Sequence, residues 1–208
     1  MGWWTAKLFA RVQAAGFYED LHRRAVQLLP PSDGRHVWVD MGCGPGLVTR
    51  LAAAHGYHAT GVDIDPAMIR QARRSVAGFV PKGGPAVEFM QGGLDMLGRL
   101  MYADVVSAAS LLAVLPDRPA ALYQLLTSLG PDGALLLVEP DASFTPSHAA
   151  AYRRRYHLGL DAWVLWLWAA TRTPGRAVQL ADVTVEGWIT TRHPLLDGMV
   201  NAWILRRA

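Results

Sequence analysis

Residues 37–66, which read VWVDMGCGPG, then a helical stretch, then ATGVDIDP, leave this chain few folds to choose from. Val37, Trp38 and Val39 form a short apolar, β-favouring run, and Asp40 follows at its carboxyl end, where open α/β sheets place their ligands. Gly42, Gly44 and Gly46 then precede a segment, 47–55, in which Leu47, Val48 and Leu51 recur at helical spacing. Glycines between a strand and a helix let a ligand approach bare backbone. A second strand, 59–62, ends in Asp63, about twenty residues beyond the glycines, where a carboxylate is placed to take ribose hydroxyls. Asp65 and Pro66 read as the N-cap and first residue of a helix over 66–76, with Met68, Ile69 and Ala72 on its apolar face. Together these make a βαβα nucleoside-binding half.

The glycine spacing narrows the ligand. A dinucleotide fingerprint needs G-x-G-x-x-G so that a pyrophosphate can sit on the helix N-terminus, and Leu47 stands at its third position, which argues against an NAD-dependent oxidoreductase. The pattern present, D-x-G-x-G-x-G followed by G-V-D, resembles the class I S-adenosylmethionine-dependent methyltransferases over roughly residues 18–140. The resemblance implies an α/β fold: a doubly wound, mostly parallel seven-stranded sheet with an antiparallel C-terminal strand. It also implies S-adenosyl-L-methionine as cofactor, with S-adenosyl-L-homocysteine (SAH) as product. The cofactor-binding positions it implies are Asp40, Gly42, Cys43, Gly44, Asp63, Ile64, Gly93, Leu94 and Ala109.

One departure stands out. Many members of that family carry Gly-Asp just after the third strand, here 86–90, with the Asp accepting from the adenine amino group, whereas this chain has Gln91–Gly92–Gly93–Leu94–Asp95. The adenine edge then falls to backbone at Gly93 and Leu94, or to Asp95 through a shifted loop. The fourth strand, 104–110, is built of small and apolar residues, and the resemblance puts Ala109 and Ser110 beside the methionine end of the cofactor. Leu111 to Leu115 follow where relatives often carry histidines, so no general base comes from there.

At 208 residues the chain has room for one domain with a full core. The expected division is a helical cap at 1–31, a cofactor-binding core at 36–140, a helical substrate-side segment at 146–180 and C-terminal antiparallel strands at 182–206. The 20 Lys and Arg against 17 Asp and Glu are scattered apart from Arg153–Arg154–Arg155, so no nucleic-acid stripe is expected. A single cysteine, Cys43, excludes a disulfide framework or cysteine metal cluster within one chain, no metal site is expected, and a reducing cytoplasm fits. The N-terminal residues read as neither signal peptide nor lipid anchor, and the most apolar window, 162–170, is about half of what spans a bilayer. Peripheral membrane contact and a homodimer stay open.

Two helices, 3–15 and 18–29, precede the sheet. In the resembling family such helices often close the pocket, making Tyr18 and His22 candidates for lining it, against cap packing for Tyr18 and a solvated face for His22 beside Arg23–Arg24. Trp3 and Trp4 are read by default as cap packing, with a dimer contact or an interfacial anchor as the alternatives. Residues 78–85 form a Pro/Gly-rich loop, Asp117 caps a helix to about 129, and a fifth strand spans 134–139. At its end Glu139 or Asp141 is placed to take a substrate proton or bind a cation, with a turn role equally open for Asp141.

From 146 to 173 the pattern is one helix in which Tyr152, Tyr156, Leu160, Trp163 and Leu167 form a stripe, while Val164 and Trp168 fall on another face. Tyr152 and Tyr156, with Tyr18 and Ser110, are the candidate substrate-binding residues; His148 and His157 are the nearby titratable groups. Strands at 182–191 and 199–205, linked by more than a tight turn, complete the sheet, with Trp188 and Trp203 on its core faces.

The expected activity is methyl transfer by in-line displacement to a nucleophilic O, N or S atom of a small, partly apolar molecule. Alignment and exclusion of water supply most of the rate, and no catalytic residue is compulsory. The rivals are a non-catalytic cofactor-binding or scaffold protein of the same fold, and a membrane-surface enzyme acting on a lipid or quinone.

Overall fold

The computed structural model describes residues 16–76, 85–100, 102–159, 163–172 and 175–208. The expected helix at 3–15 with Trp3 and Trp4, nearly all of the 78–85 loop, Leu160 of the aromatic stripe and the Thr173–Pro174 break lie outside the described residues.

A seven-stranded sheet of order β3-β2-β1-β4-β5-β7-β6 forms the centre. β1 (Val37–Met41) pairs in parallel with β2 (His58–Asp63) on one side and β4 (Ala103–Ala109) on the other, so the direction of winding reverses at β1. Open α/β sheets leave a crevice at that reversal, outside the carboxyl ends of the strands. Asp40 lies at that reversal, in register with Gly61 of β2 and Ser107 of β4. β3 (Val87–Gln91) extends the sheet beyond β2, and β5 (Leu129–Pro140) continues it beyond β4. β7 (Val200–Arg207) runs antiparallel to β5 and β6 (Trp188–Leu195), lying between them.

Leu135, Leu136 and Leu137 of β5 are all fully buried, as a strand covered on both faces requires. On one face Trp38, Val105, Leu136 and Ile204 meet Leu21 and Ala25 of α1 (Gly16–Val26) and Val48 and Ala52 of α2 (Leu47–Ala54). On the other, Val39, Val106, Leu135, Leu137 and Trp203 meet Leu122, Leu125 and Leu126 of α4 (Arg118–Thr127). α3 (Pro66–Val76) starts where Asp65 Oδ1 accepts from the Ala67 amide at 2.8 Å, and α4 where Asp117 Oδ1 accepts from Ala120 at 3.0 Å. Trp203 is core as expected, while Trp188 is only partly buried.

Three elements differ from the expected ones. β5 begins at Leu129 because the turn residues 130–133 ride within the strand as a bulge: Ala103 pairs with Leu129, and Val105 already with Ala134. At the C-terminal side, 180–183 is a short helical turn held by Asp182, whose Oδ2 accepts from the Gln179 amide at 2.8 Å. β6 therefore starts at Trp188 and carries His193 and Pro194 inside it; on an edge strand the missing proline N–H costs little. The link to β7 is a tight turn, since Leu196, Asp197 and Gly198 all take positive φ.

The third difference concerns the expected helix over 146–173, which is two. α5 (Pro146–Arg155) ends where His157 takes a φ of 49°, and the chain resumes as α6 (Trp163–Thr171). The face of α6 that packs inward is not the aromatic stripe: Val164, Leu165 and Ala169 are buried, while Trp163 and Trp166 remain about half exposed (46% and 47%). Trp168 meets Tyr18 at 5.4 Å and Phe144 at 4.7 Å between ring centres, joining α6 to α1. A helix apolar on every side carries no pattern from which to choose the buried face.

Candidate functional site

The cleft at the β1 reversal is built by the glycine turn. Gly42, Gly44 and Gly46 all hold positive φ, at 71°, 54° and 82°. A Cβ on Gly46 would stand 2.5 Å from the Phe89 ring and 3.2 Å from the Ala72 Cβ. Left-handed backbone costs a non-glycine residue about 1–2 kcal/mol before any clash. Gly46→Ala is therefore expected to destabilise the protein by about 2–4 kcal/mol, lowering the thermal midpoint by about 5–10 °C in a denaturation scan. An unchanged midpoint would show that the turn relaxes without cost.

Beneath the turn Asp40 is almost fully buried and accepts from the hydroxyls of Thr49 and Ser107, both at 2.8 Å; Trp38 Nε1 in turn donates to Ser107 Oγ at 2.8 Å. Burial raises the Asp40 pKa to about 6 despite these donors, so the group is largely ionised at neutral pH and ready to face a cation. Asp63, at the end of β2, accepts from the Gly44 amide through Oδ2 at 2.8 Å and from the Asp65 amide through Oδ1 at 2.9 Å. Its carboxylate thereby ties the glycine turn to β2 while keeping lone pairs for a ligand. Ile64 next to it is 76% exposed, an apolar platform beside a polar acceptor.

These groups line one cleft of about 420 Å³, within the usual range for a small-molecule site. It brings together Tyr18, Asp40, Gly42, Cys43, Gly44, Asp63, Ile64, Gly93, Leu94, Ala109 and Ser110 of the residues singled out in the sequence. Asp95 is not among its walls and lines a neighbouring depression with Leu97 and Tyr102, so Gly93 and Leu94 are what this loop presents to the cleft. Cys43 is buried against Ile69, Ala72 and Phe89, and burial pushes its thiol far above the ordinary range, which keeps it protonated and inert.

Tyr152 and Tyr156 do not reach the cleft. Their rings pack on each other at 4.4 Å, and the Tyr156 hydroxyl donates to Asp197 Oδ1 at 2.8 Å, binding the end of α5 to the β6–β7 turn. His157 and Trp163 line a separate open depression with Arg153 and Arg154, and His148 Nδ1 bonds the Ser143 carbonyl at 2.6 Å. Asp141 accepts from the Ser143 amide at 2.9 Å and from Asn201 Nδ2 at 3.0 Å, a turn-holding role.

Sequence reasoning passed over several walls of the cleft, among them Leu111, Val114 and Leu115. Glu139 shapes them. It is fully buried, its Oε1 accepts from the Leu112 amide at 2.8 Å, and Oε2 has no partner among the described residues. Arg118 Nε donates to the Leu112 carbonyl at 3.2 Å, so both backbone polar groups of Leu112 are held. Burial pushes the Glu139 carboxyl up to about 8, and it is a neutral acid around pH 7. His22, for which the sequence offered both pocket lining and a solvated face, is buried and lines the cleft. α1 lies across α2, which turns that side of α1 inward; the only sequence signal was its position one turn after Tyr18.

A switch-point cleft, acids beneath and beside a glycine turn, and a 3-2-1-4-5-7-6 sheet define the class I methyltransferase fold. The sequence profile described as a methyltransferase domain matches residues 10–182, and the chain belongs to that family. Among curated proteins it is 36% identical over 161 residues to a trans-aconitate 2-methyltransferase of Methylobacterium nodulans, covering 76% of this chain and 57% of that protein. To one from Azoarcus sp. it is 34% identical over 136 residues, covering 64% and 51%. The chain thus spans about half the length of the curated relatives it matches. In fold it is similar to a plantazolicin methyltransferase in complex with SAH, with TM-score 0.65, 13% identity and 97% and 90% of the two chains covered. It is also similar to a magnesium protoporphyrin IX methyltransferase from Synechocystis, with TM-score 0.63, 18% identity and 97% and 94% covered.

Proposed function

We propose that the chain is an S-adenosylmethionine-dependent methyltransferase acting on a nucleophilic O, N or S atom of a small, partly apolar molecule. The observation that carries this reading is the charge of the cleft: its carboxylates are Asp40 and Asp63, and no Lys or Arg stands among its described walls. Such a surface disfavours a pyrophosphate and suits a ligand bearing a ribose diol, a flat base and a sulfonium cation. Asp63 would take the diol, Ile64 the base, Gly93 and Leu94 its edge, and Asp40 with the bare backbone of Gly42 and Gly44 the cationic end. The bound sulfonium supplies an activated methyl group. The protein supplies alignment and an apolar wall formed by Leu111, Val114 and Leu115.

The same absence of cations bears on the acceptor. The curated relatives are named for trans-aconitate, whose carboxylates call for Arg or Lys partners. The described walls offer none, so the acceptor proposed here is less charged. Titration calorimetry with SAH and with NAD, followed by turnover with labelled methyl donor over phenols, amines and thiols, tests the reading. Micromolar binding of SAH alone with transfer to at least one acceptor is expected. Binding of NAD would defeat it, and SAH binding with no transfer would replace it with the non-catalytic cofactor-binding reading.

A further inference from the structure

The cofactor assignment proposed above leaves His22 unused, yet this residue lines the cleft. It follows Tyr18 by one turn of α1, packs on that ring at 4.2 Å between centres, and places Nδ1 2.8 Å from the Tyr18 carbonyl. A carbonyl only accepts, so the imidazole proton sits on Nδ1 and Nε2 carries a bare lone pair. No described residue bonds to Nε2. The other titratable groups of the cleft, Tyr18 aside, are committed otherwise: Asp40 to Thr49 and Ser107, Asp63 to the Gly44 and Asp65 amides, and Cys43 to apolar packing as a protonated thiol.

We infer that Nε2 of His22 takes the proton of the methyl acceptor, and that this acceptor is a hydroxyl of phenol-like acidity held between the apolar walls of the cleft. The inference rests on the methyl-transfer reading given above. In the step, a lone pair of the acceptor oxygen forms the new O–CH3 bond as the S–CH3 bond breaks with its electron pair going to sulfur. The hydroxyl proton passes to Nε2, giving an imidazolium that returns it to water. Burial holds His22 down to about 4, so the ring is already proton-free at neutral pH. A weak base suffices, because an oxygen that is gaining a methyl group while still protonated becomes a strong acid. Protein groups in this role contribute about 10²–10⁴-fold.

The test pairs para-cresol, protonated at assay pH, with para-nitrophenol, largely ionised there. His22→Gln and His22→Ala are expected to lose about a hundredfold or more in turnover of para-cresol, yet only about threefold with para-nitrophenol, and to bind SAH as the unaltered protein does. Added imidazole should restore His22→Ala on para-cresol. Independently of turnover, isotope-edited NMR should find the His22 proton on Nδ1. Equal losses on both phenols, no loss on para-cresol, or a proton on Nε2 in the free protein would overturn the inference. If the unaltered protein binds SAH but methylates neither phenol, the role of His22 and the acceptor class fall while the cofactor reading stands. If it does not bind SAH, the methyl-transfer reading fails first.

Discussion

Replacing Asp63 with alanine should weaken SAH binding by about a hundredfold or more. Two effects add. The ribose hydroxyls lose a charged acceptor, and hydrogen bonds to charged groups are worth about 1.5–3 kcal/mol each. The Gly44 and Asp65 amides also lose the carboxylate that fixes them at 2.8 and 2.9 Å, so the glycine turn loosens where the ligand must lie on bare backbone. Asp63→Asn keeps one acceptor oxygen without the charge and is expected to fall between, near a tenfold loss. Titration calorimetry on the three proteins, with a thermal scan to show that each is folded, measures this directly. An alanine variant that binds within about threefold of the original would show that the diol is read elsewhere.

The second large effect concerns stability. Glu139 titrates near 4.5 when exposed and is raised to about 8 by burial, so the folded protein keeps a proton that the unfolded chain has already lost between those values. The stability tied to that proton is fully present below the unfolded value and is lost as pH rises through the folded one. Glu139→Gln keeps an oxygen for the Leu112 amide and has no proton to lose. From about pH 6 to about pH 8 the original protein should therefore lose about 2 kcal/mol more than the variant, read from urea unfolding at both pH values. Asp40 has the same sign, raised from 3.8 to about 6, but most of its contribution is gone at the lower end of that window and is common to both proteins. Parallel pH profiles would mean that Glu139 is already ionised in the fold.

The half of the molecule around β1 and β2 was legible because its constraints are local. A glycine at positive φ, an acid at a strand end and a Pro after an N-cap each declare their geometry in a few residues. The family resemblance carried the sheet order, including the antiparallel strand. What could not be read were the features decided by distant packing. His157 itself ends α5 in a left-handed conformation, two residues ahead of Gly159, and the aromatic spacing ran on across that break. His22 sits beside two arginines on a helix whose inward side was set only when α1 met α2. Glu139 reads as a reactive carboxylate at a strand end, whereas its neighbours make it a neutral strut for the 111–115 wall.

The placement of β7 has a further consequence for how the chain is made. Of the seven strands it is synthesised last, yet it lies between β5 and β6 and is the sole partner of β6 among the described residues. While the ribosome is still translating residues 200–207, β5 has an open flank lined by Leu135, Leu136 and Leu137, and β6 has nothing to pair with. Unpaired flanks of that kind are aggregation-prone and slow to close. The nascent protein thus carries a gap in mid-sheet until that strand emerges, and that is the interval in which a chaperone would have most to shield.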